Sequence, residues 1–460
     1  MAEQFTSTAG RSRAELLAAG KQLRATMPRR AHDGWQPMSA RDPVKLLRSQ
    51  DAVRVPELRA VRYGRMLVSP FTFYRGAALV MAHDLRSTPS TGIVVQACGD
   101  AHLMNFGAYA SAERRLVFDV NDFDETHPGP WEWDVKRLAA SFAIAARDEG
   151  LRDDQARDAA REVVRWYALI MNRLVGFSTI DIHYHRLEIE EIVDILQARG
   201  DKRNLKRILE FERRARRKTS EHAVRKLTET GPDGHVQIVE DPPLIVRVSE
   251  SDRAAHQRFL DRYATTMPPH RAHILRQYRF VDAARKVVGV GSVGLEAYIV
   301  LMEAYADGTP LMLQIKEAVP SVLSPDGAPL FRGNTQGERV VQGQKLMQAS
   351  SDPFLGWLTE PGNDYYVRQL RDMKGSLDPE PDWSWFAAYA QLCGRALACA
   401  HARSVDPALI SGYLGPEADP FADAVAAFSM RYADRAAQDW ELLARAAEDG
   451  VVEVVVEDHR

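Results

Sequence analysis

The chain has 460 residues, 45% hydrophobic and 27% charged, and its 60 Lys and Arg nearly balance 63 Asp and Glu for a formal net charge of −3. That balance excludes a global electrostatic case for nucleic acid or a membrane surface, so charge-based recognition must be local. The length asks for two or three domains or lobes, and three cysteines (Cys98, Cys393, Cys399) without a C-x-x-C pair suit a reducing compartment.

Residues 12–65 read as mostly helical, with a turn at PRRAHDGWQP, and SPFTFYRGAALVMAHDL as a short extended piece running into an apolar helix. GIVVQACGD is a β-branched run that ends at Gly99 and feeds a loop, and RRLVFDVNDF is a second strand. Beyond PGP, Trp133, Leu138, Ala139 and Phe142 fall at helical spacing, and 151–176 continues helical. From about 185 to 230 the chain reads as a long charged helical stretch, with twelve Lys or Arg against four Asp or Glu between Arg199 and Lys226. A solvated face is the ordinary reading of such a run, and a basic cap over an acidic or phosphorylated substrate is the sharper one. GPDGHVQIVEDPPLIVRV suggests a hairpin, and 251–280 another helix. The texture then changes: KVVGV, EAYIVLM and LMLQIK are strand-like, the last two joined by DGTP. Residues 337–349 look helical, FLGWLTE and DYYVRQL look like strands, and 383–403 is an Ala-rich helix. A helix near 421–447 precedes the short strand or tail VVEVVVEDHR.

Two regions carry chemistry. ACGDAHLMNFG and VFDVNDFDETHPGPWEWDVKRLAAS crowd Asp100, His102, Asn105, Asp119, Asp122 and Asp124 into a short span, which is unfavourable unless a cation lies between the carboxylates. Asp100 and Asn105 have the D-x-x-x-x-N spacing in which the Asp accepts a substrate hydroxyl proton and the Asn holds Mg²⁺. Asp122, seventeen positions beyond Asn105 across a strand and turn, stands where a second Mg²⁺-binding Asp belongs. The other region is G-x-G-x-x-G at Gly289, Gly291 and Gly294. A dinucleotide fingerprint requires a helix directly after the glycines. Here Tyr298 to Met302 follows, which favours a strand and the phosphate-covering loop of kinases. Lys316 on the third strand would then pair with nucleotide phosphates, with Glu338 as its candidate partner. His102 joins the catalytic loop and is expected to orient it. Asp119 and Asp124 extend the metal site or cap turns, and Arg75 in FYRG pins a phosphate or packs on its aromatic neighbours.

GDAHLMNFG, NDFDE and PWEWDVKRLA together resemble the aminoglycoside- and choline-kinase branch of the protein-kinase-like superfamily. The resemblance implies Asp100 as base, Asn105 and Asp122 as Mg²⁺ ligands, and Asp134 as a buried carboxylate bracing the catalytic loop. Over nearly its whole length, from RYGRMLVSPFTFYRG to LCGRALACAHARS, the chain also resembles the bacterial family called domain of unknown function 2252. Two features depart from the kinase pattern. Cys98 takes the place of the usual His two positions before the catalytic Asp, and Asp122-Phe123-Asp124 replaces Asp-Phe-Gly with no Ala-Pro-Glu beyond it. The second departure favours a small-molecule or atypical kinase. Order departs too, since Gly289 comes 189 positions after Asp100, whereas kinases place the glycine loop and lysine first. A circular permutation reconciles this, and permutation is tolerated where termini lie close together at a surface.

The expected fold is therefore α+β: two-lobed, protein-kinase-like and circularly permuted, with extra helices. Its expected parts are an N-terminal helical segment 1–97, a catalytic part 98–280 with a helical insertion, a nucleotide-binding part 281–382 and C-terminal helices 383–460. The expected function is an ATP- and Mg²⁺-dependent phosphotransferase acting on a small-molecule hydroxyl acceptor, an anionic one if the basic segment and Arg75 are a guide. No nucleic-acid or membrane partner is expected, because no stretch nears the roughly 18 apolar residues of a span. The polar start lacks a signal-peptide core, so the expected location is the cytoplasm. Two rivals stand beside this: a nucleotide-binding pseudokinase, and a metal-dependent phosphoesterase, suggested by GDAH but lacking a GNH element and further ligands downstream.

Overall fold

The structure, a computed structural model, describes residues 5–37, 41–218, 220–231, 235–287, 289–324, 335–370, 373, 375 and 377–456. It is mixed α and β, with several sheets. The helix Trp131–Asp148 organises the helical half. Its small Ala139, Ala140, Ala143, Ala145 and Ala146 are all buried and let neighbours approach closely. Those neighbours are the helices Asp153–Leu174, Trp383–Ala402 and Asp419–Glu448. Trp131 stacks on Tyr167 at 5.6 Å between ring centroids. Where Trp383–Ala402 crosses Asp153–Leu174, a Cβ on Gly394 would lie 2.4 Å from the Val163 carbonyl oxygen. A helix this enclosed would ordinarily be apolar, yet Glu132, Asp134, Lys136 and Arg137 near its start are buried as well. Buried charge persists when it is paired or hydrogen-bonded, and these side chains are committed to the loops beside the helix.

The second half is built on a six-stranded antiparallel sheet. Its spatial order is Gly356–Glu360, Asn363–Gln369, Pro310–Ala318, Ala297–Ala304, Tyr278–Lys286 and Ile245–Arg247. Side chains alternate across a strand with period two. Leu311, Leu313 and Ile315 pack with Phe259, Leu260 and Tyr263 on one face, while Met312 joins Ile299, Leu301 and Leu227 on the other. Burial on both faces explains why AYIVLMEA and PLMLQIKEA are almost continuously apolar. Toward one end of the second face the residues become polar, with Gln314 opposite Arg368 and Lys316 opposite Tyr366. This polar end meets the helical half. The helix Gln336–Met347 fits between the two, with Gly337 close against the Tyr365 carbonyl and Gly343 against Thr126.

Several local expectations are corrected. SPFTFYRG is helical over Pro70–Gly76, because Ser69 caps it by accepting from the Thr72 N–H at 3.2 Å and Pro70 suits the first helical position. The charged stretch 185–230 is three helices, Ile189–Ala198, Lys202–Arg217 and Ser220–Leu227, with Gly200 at φ +69° ending the first. The expected hairpin does not form: Val236–Ile238 pairs with Thr228–Thr230, and Ile245–Arg247 with Tyr278–Lys286. The strand before the glycines is Tyr278–Lys286 and takes in only the first residue of KVVGV, of which Val288 lies outside the described residues. The tail 451–456 is no strand, although the Val455 N–H donates to the Ala60 carbonyl at 3.0 Å. Among the described residues no helix is long and apolar enough to cross a membrane.

Candidate active site

The strand Val94–Ala97 runs into Cys98 and Gly99, and the chain turns through Asp100 to the 3-10 turn Leu103–Asn105 before the strand Phe106–Ala110. Only glycine suits position 99, where φ is +83° and a Cβ would lie 2.1 Å from the Glu125 carbonyl oxygen. The helix Trp131–Asp148 fixes this loop from behind. Asp134, expected to brace it, accepts from the Cys98 N–H at 2.7 Å and the Gly99 N–H at 3.1 Å. His401 Nε2 stands 3.1 Å from the same carboxylate, and its Nδ1 is 3.0 Å from the Tyr167 hydroxyl. Ser141 Oγ accepts from the Leu103 N–H at 3.0 Å, and the Tyr389 hydroxyl donates to the Leu103 carbonyl at 2.8 Å.

Asp100 is held by Arg137, whose Nε donates to Oδ1 at 2.7 Å and whose guanidinium lies 4.5 Å from the Tyr74 ring centroid. Burial pushes the Asp100 carboxyl above its ordinary range, against the pull of Arg137 and Arg75. His102 Nε2 lies 3.8 Å from Asp100 Oδ2. Burial first, then Arg75 and Arg137, hold this imidazole well below its ordinary pKa, so it is neutral at pH 7. Asn105 Nδ2 donates to the Asp100 carbonyl at 2.8 Å, which leaves its amide oxygen as the atom available to a cation.

Lys316 does not line the cleft that Asp124 borders; the two, 192 positions apart in sequence, form a buried ion pair behind its surface. The other Asp124 oxygen accepts from the Tyr366 hydroxyl at 2.5 Å. Burial opposes both charges and the pairing outweighs it: Asp124 sits below the ordinary carboxylate range and Lys316 above the ordinary ammonium range. Two assignments change as a result. The carboxylate beside Lys316 is Asp124 and not Glu338, which occupies the first turn of the helix Gln336–Met347. Asp124, expected among the metal ligands, has both oxygens engaged. The helix Gln336–Met347 reaches the site through Arg339, which donates to the carbonyls of Thr126 at 2.6 Å and Asp124 at 2.9 Å. Asp119 is a buried strand residue 3.9 Å from Arg403, outside the cleft lining.

Asp100, His102, Asn105, Asp122 and Asp124 line a single open cleft together with Gly289 and Gly291. Gly294 does not line it and packs at φ +93° against the Arg54 side chain. The glycine turn is held by the N-terminal helices, with Arg65 Nη1 donating to the Gly289 carbonyl at 2.6 Å and the Val55 N–H to the Gly294 carbonyl at 2.7 Å. Those helices bring Arg54 and Arg75 to the cleft as a third wall. Four side-chain atoms of cleft residues are buried without a hydrogen-bond partner: Arg54 Nε, Arg75 Nε, His102 Nδ1 and Asp122 Oδ1. Other such atoms occur elsewhere in the described residues, but these four line one open cleft, where a polar ligand would complete them. Among the described residues no three His, Cys, Asp or Glu side chains are grouped to hold a metal ion. The oxygens of Asp122 and Asn105 nevertheless fit Mg²⁺, a hard cation that ordinarily takes one or two protein oxygens and fills its shell from substrate phosphates and water.

Residues 54–446 match the family described as an uncharacterized protein conserved in bacteria, DUF2252. The chain belongs to this family. No curated protein and no solved structure matches it. The matched region begins at Arg54 and so includes every cleft residue named above. Sequence reasoning missed Arg137, Arg339, Glu125 and Arg54. The first was within reach, because Arg137 stands three positions after Asp134 on one helix and so shares its face. Glu125 lines the cleft, its Oε2 accepts from the Val322 N–H at 2.7 Å, and burial pushes its carboxyl up to about 7. Neither Glu125 nor Arg54 belongs to a spacing that announces a role.

Proposed function

We propose that this DUF2252 protein is an ATP- and Mg²⁺-dependent phosphotransferase acting on a small-molecule hydroxyl, on a two-lobed protein-kinase-like frame read in permuted order. The observation that carries the reading is the convergence in one cleft of the acidic loop with a glycine turn that begins 189 positions later. Strand, glycine turn, strand, then a strand bearing Lys316 and a helix is the sequence of parts that covers nucleotide phosphates in kinases. The helix Trp383–Ala402 then delivers His401 to Asp134 behind the acidic loop, where a permuted chain must rejoin its catalytic part.

In this reading Asp100, kept basic by burial and aimed by Arg137, accepts the proton of the acceptor hydroxyl. The acceptor oxygen bonds to the terminal phosphorus of ATP, the bond from that phosphorus to the bridging oxygen breaks, and ADP leaves. Asn105 and Asp122 would hold Mg²⁺, which when bound neutralises charge on the phosphate oxygens. Lys316 and the backbone of the glycine turn hold the nucleotide. The test is a thermal-shift titration with ATP, with and without Mg²⁺, on wild type, Asp122→Ala and Lys316→Ala. A Mg²⁺-dependent rise in melting temperature, equivalent to about 2.7 kcal/mol at a hundredfold excess over Kd, is expected in wild type and lost in both variants. A wild type indifferent to ATP under both conditions rejects the reading. The engagement of Lys316 by Asp124 favours a second reading, a nucleotide-binding pseudokinase, which predicts ATP bound without ADP released.

A further inference from the structure

Resting on the phosphotransferase reading, we infer that Arg54 and Arg75 form an anion clamp on the acceptor side of the cleft, and that the acceptor is a small hydroxy compound carrying its own carboxylate or phosphate. Arg54 lies just before the helix Pro56–Leu67 and Arg75 within Pro70–Gly76, so the clamp is contributed by the N-terminal segment, on which the glycine turn rests. Arg54 is 6% exposed and donates to the Val293 carbonyl, yet its Nε has no partner, and neither has Arg75 Nε. Two other enclosed arginines sit directly on carboxylates, Arg41 on Asp84 and Asp439 and Arg137 on Asp100. What sets Arg54 and Arg75 apart from the remaining enclosed arginines with a free Nε is that both line the cleft. A guanidinium taken out of water with no carboxylate bonded to it is unfavourable. The carboxylates that face these two, Glu125 and Asp51 for Arg54 and Asp100 and Asp378 for Arg75, act from beyond ion-pair distance. Burial accordingly draws Arg54 down to about 9 and Arg75 below its ordinary value. An anion brought by a ligand resolves both, and a planar guanidinium is suited to carboxylate or phosphate.

Geometry puts the clamp beside the base. The Tyr74 carbonyl, next to Arg75 in the chain, accepts from Arg137 Nη2 at 3.2 Å, so the backbone that carries Arg75 is tied to the guanidinium that holds Asp100. On the other side, a Cβ on Gly291 would lie 3.2 Å from the Arg75 carbonyl oxygen, which seats the glycine turn directly on the clamp. Lys316 is committed to Asp124 behind the cleft surface. Because Asp100 must meet the acceptor hydroxyl, a cation placed beside Asp100 meets the remainder of that molecule.

The test uses the full chain and inorganic phosphate as the probe, titrated by calorimetry alone and in the presence of Mg²⁺ with a non-hydrolysable ATP analogue. Wild type, Arg54→Gln, Arg75→Gln and Arg75→Lys are compared, each first checked for a cooperative melt. Phosphate is expected to bind wild type, to bind each Gln variant at least tenfold more weakly, to bind Arg75→Lys nearly as well, and to remain bound beside the analogue. Failure of wild type to bind phosphate, or equal binding by the Gln variants, overturns the inference. Competitive displacement by the analogue overturns it as well, since the arginines would then serve the nucleotide. Arginine-dependent phosphate binding without any analogue binding leaves the clamp standing and rejects the phosphotransferase reading. Analogue binding without phosphate binding does the reverse.

Discussion

The acidic loop and the glycine turn face each other across one cleft but are fixed by different means. The loop 98–105 is tied into the largest core of the molecule: Asp134, Ser141, Tyr389 and Arg137 all contact it from buried helices. The turn at 289–295 is held by the N-terminal segment, through half-buried Arg65 on the Gly289 carbonyl, buried Arg54 on the Val293 carbonyl and the packing of Val293 on Leu58 and Val61. Its own hydrogen bonds are long, at 3.4 Å for Val293 to Val290 and 3.2 Å for Leu295 to Ser292. In the proposed reading the loop carries a base, which must be aimed to within a fraction of an ångström to be effective, and the buried bracing would provide that. A cover for a ligand needs only to be present. The difference therefore couples the acidic loop to global stability and the glycine turn to the N-terminal helices.

The largest expected effect tests this contrast. Asp134→Ala leaves two buried N–H groups and His401 without their acceptor, at about 1–3 kcal/mol for each orphaned donor. A loss of about 4 kcal/mol in urea unfolding is expected, a large share of the roughly 5–15 kcal/mol of a typical domain. Arg65→Ala, on the turn side, is expected to change stability by less than about 1 kcal/mol while weakening binding of an ATP analogue several-fold. Equal destabilisation by the two variants would remove the contrast.

Next in size is Arg137→Met, which leaves Asp100 buried with its counter-charge gone. Loss of a positive neighbour favours the neutral acid, and an opposite charge this close typically accounts for about 1–3 pKa units. Turnover at pH 7 should fall at least tenfold and recover as pH rises, the acid limb of the pH–rate profile having moved upward. A uniform loss at every pH would make Arg137 a residue of folding and not of charge control.

How much of this was legible in the sequence depends on whether neighbours in space were neighbours in chain. Asp100, Asn105 and Asp122 lie within a span whose spacing is itself the signal, and the cleft does bring them together. The strands around Lys316 were readable because burial on both faces writes an apolar run. Glu338 was read as the partner of Lys316 from helix position alone, yet the contact is made by a residue 192 positions away, and nothing local encodes it. The helix Pro70–Gly76 was missed because its aromatic, β-like composition outweighed the Ser69 and Pro70 start signal. Arg75 was already a phosphate candidate in the sequence, whereas Arg54 became meaningful only through its buried, unpartnered Nε, a property of packing that no motif records.

Glu125 sharpens the acidic side through pH. Burial raises its folded pKa to about 7 from 4.5. Below about pH 4.5 the group is protonated folded or unfolded. Between there and about pH 7 the folded chain holds the extra proton, so stability falls as pH rises, by at most about 1.4 kcal/mol per pH unit. Above that window the loss is complete. Asp119, raised by burial to about 6 from 3.8, adds a slope of the same sign at lower pH. Glu125→Gln, measured by urea unfolding from pH 5 to 8, should flatten the curve above about pH 6 and leave only the shallower Asp119 slope below it; an unchanged curve would place the titration elsewhere.

The smallest effect belongs to Glu338→Gln. The substitution keeps the size of the side chain, and the cap of its helix rests on the Thr335 hydroxyl accepting from the Glu338 N–H at 3.2 Å, a contact that the side chain does not make. Stability should change by less than about 0.5 kcal/mol. The nucleotide measurement is the informative one, because two acidic residues compete for the role of lysine partner. If ATP-analogue binding is unaffected by Glu338→Gln and abolished by Asp124→Asn, the ion pair between the acidic loop and the strand is the one that organises the site. If the order is reversed, Lys316 leaves Asp124 when nucleotide arrives, which frees a carboxylate oxygen of Asp124 beside Asp122 and restores it as a metal ligand.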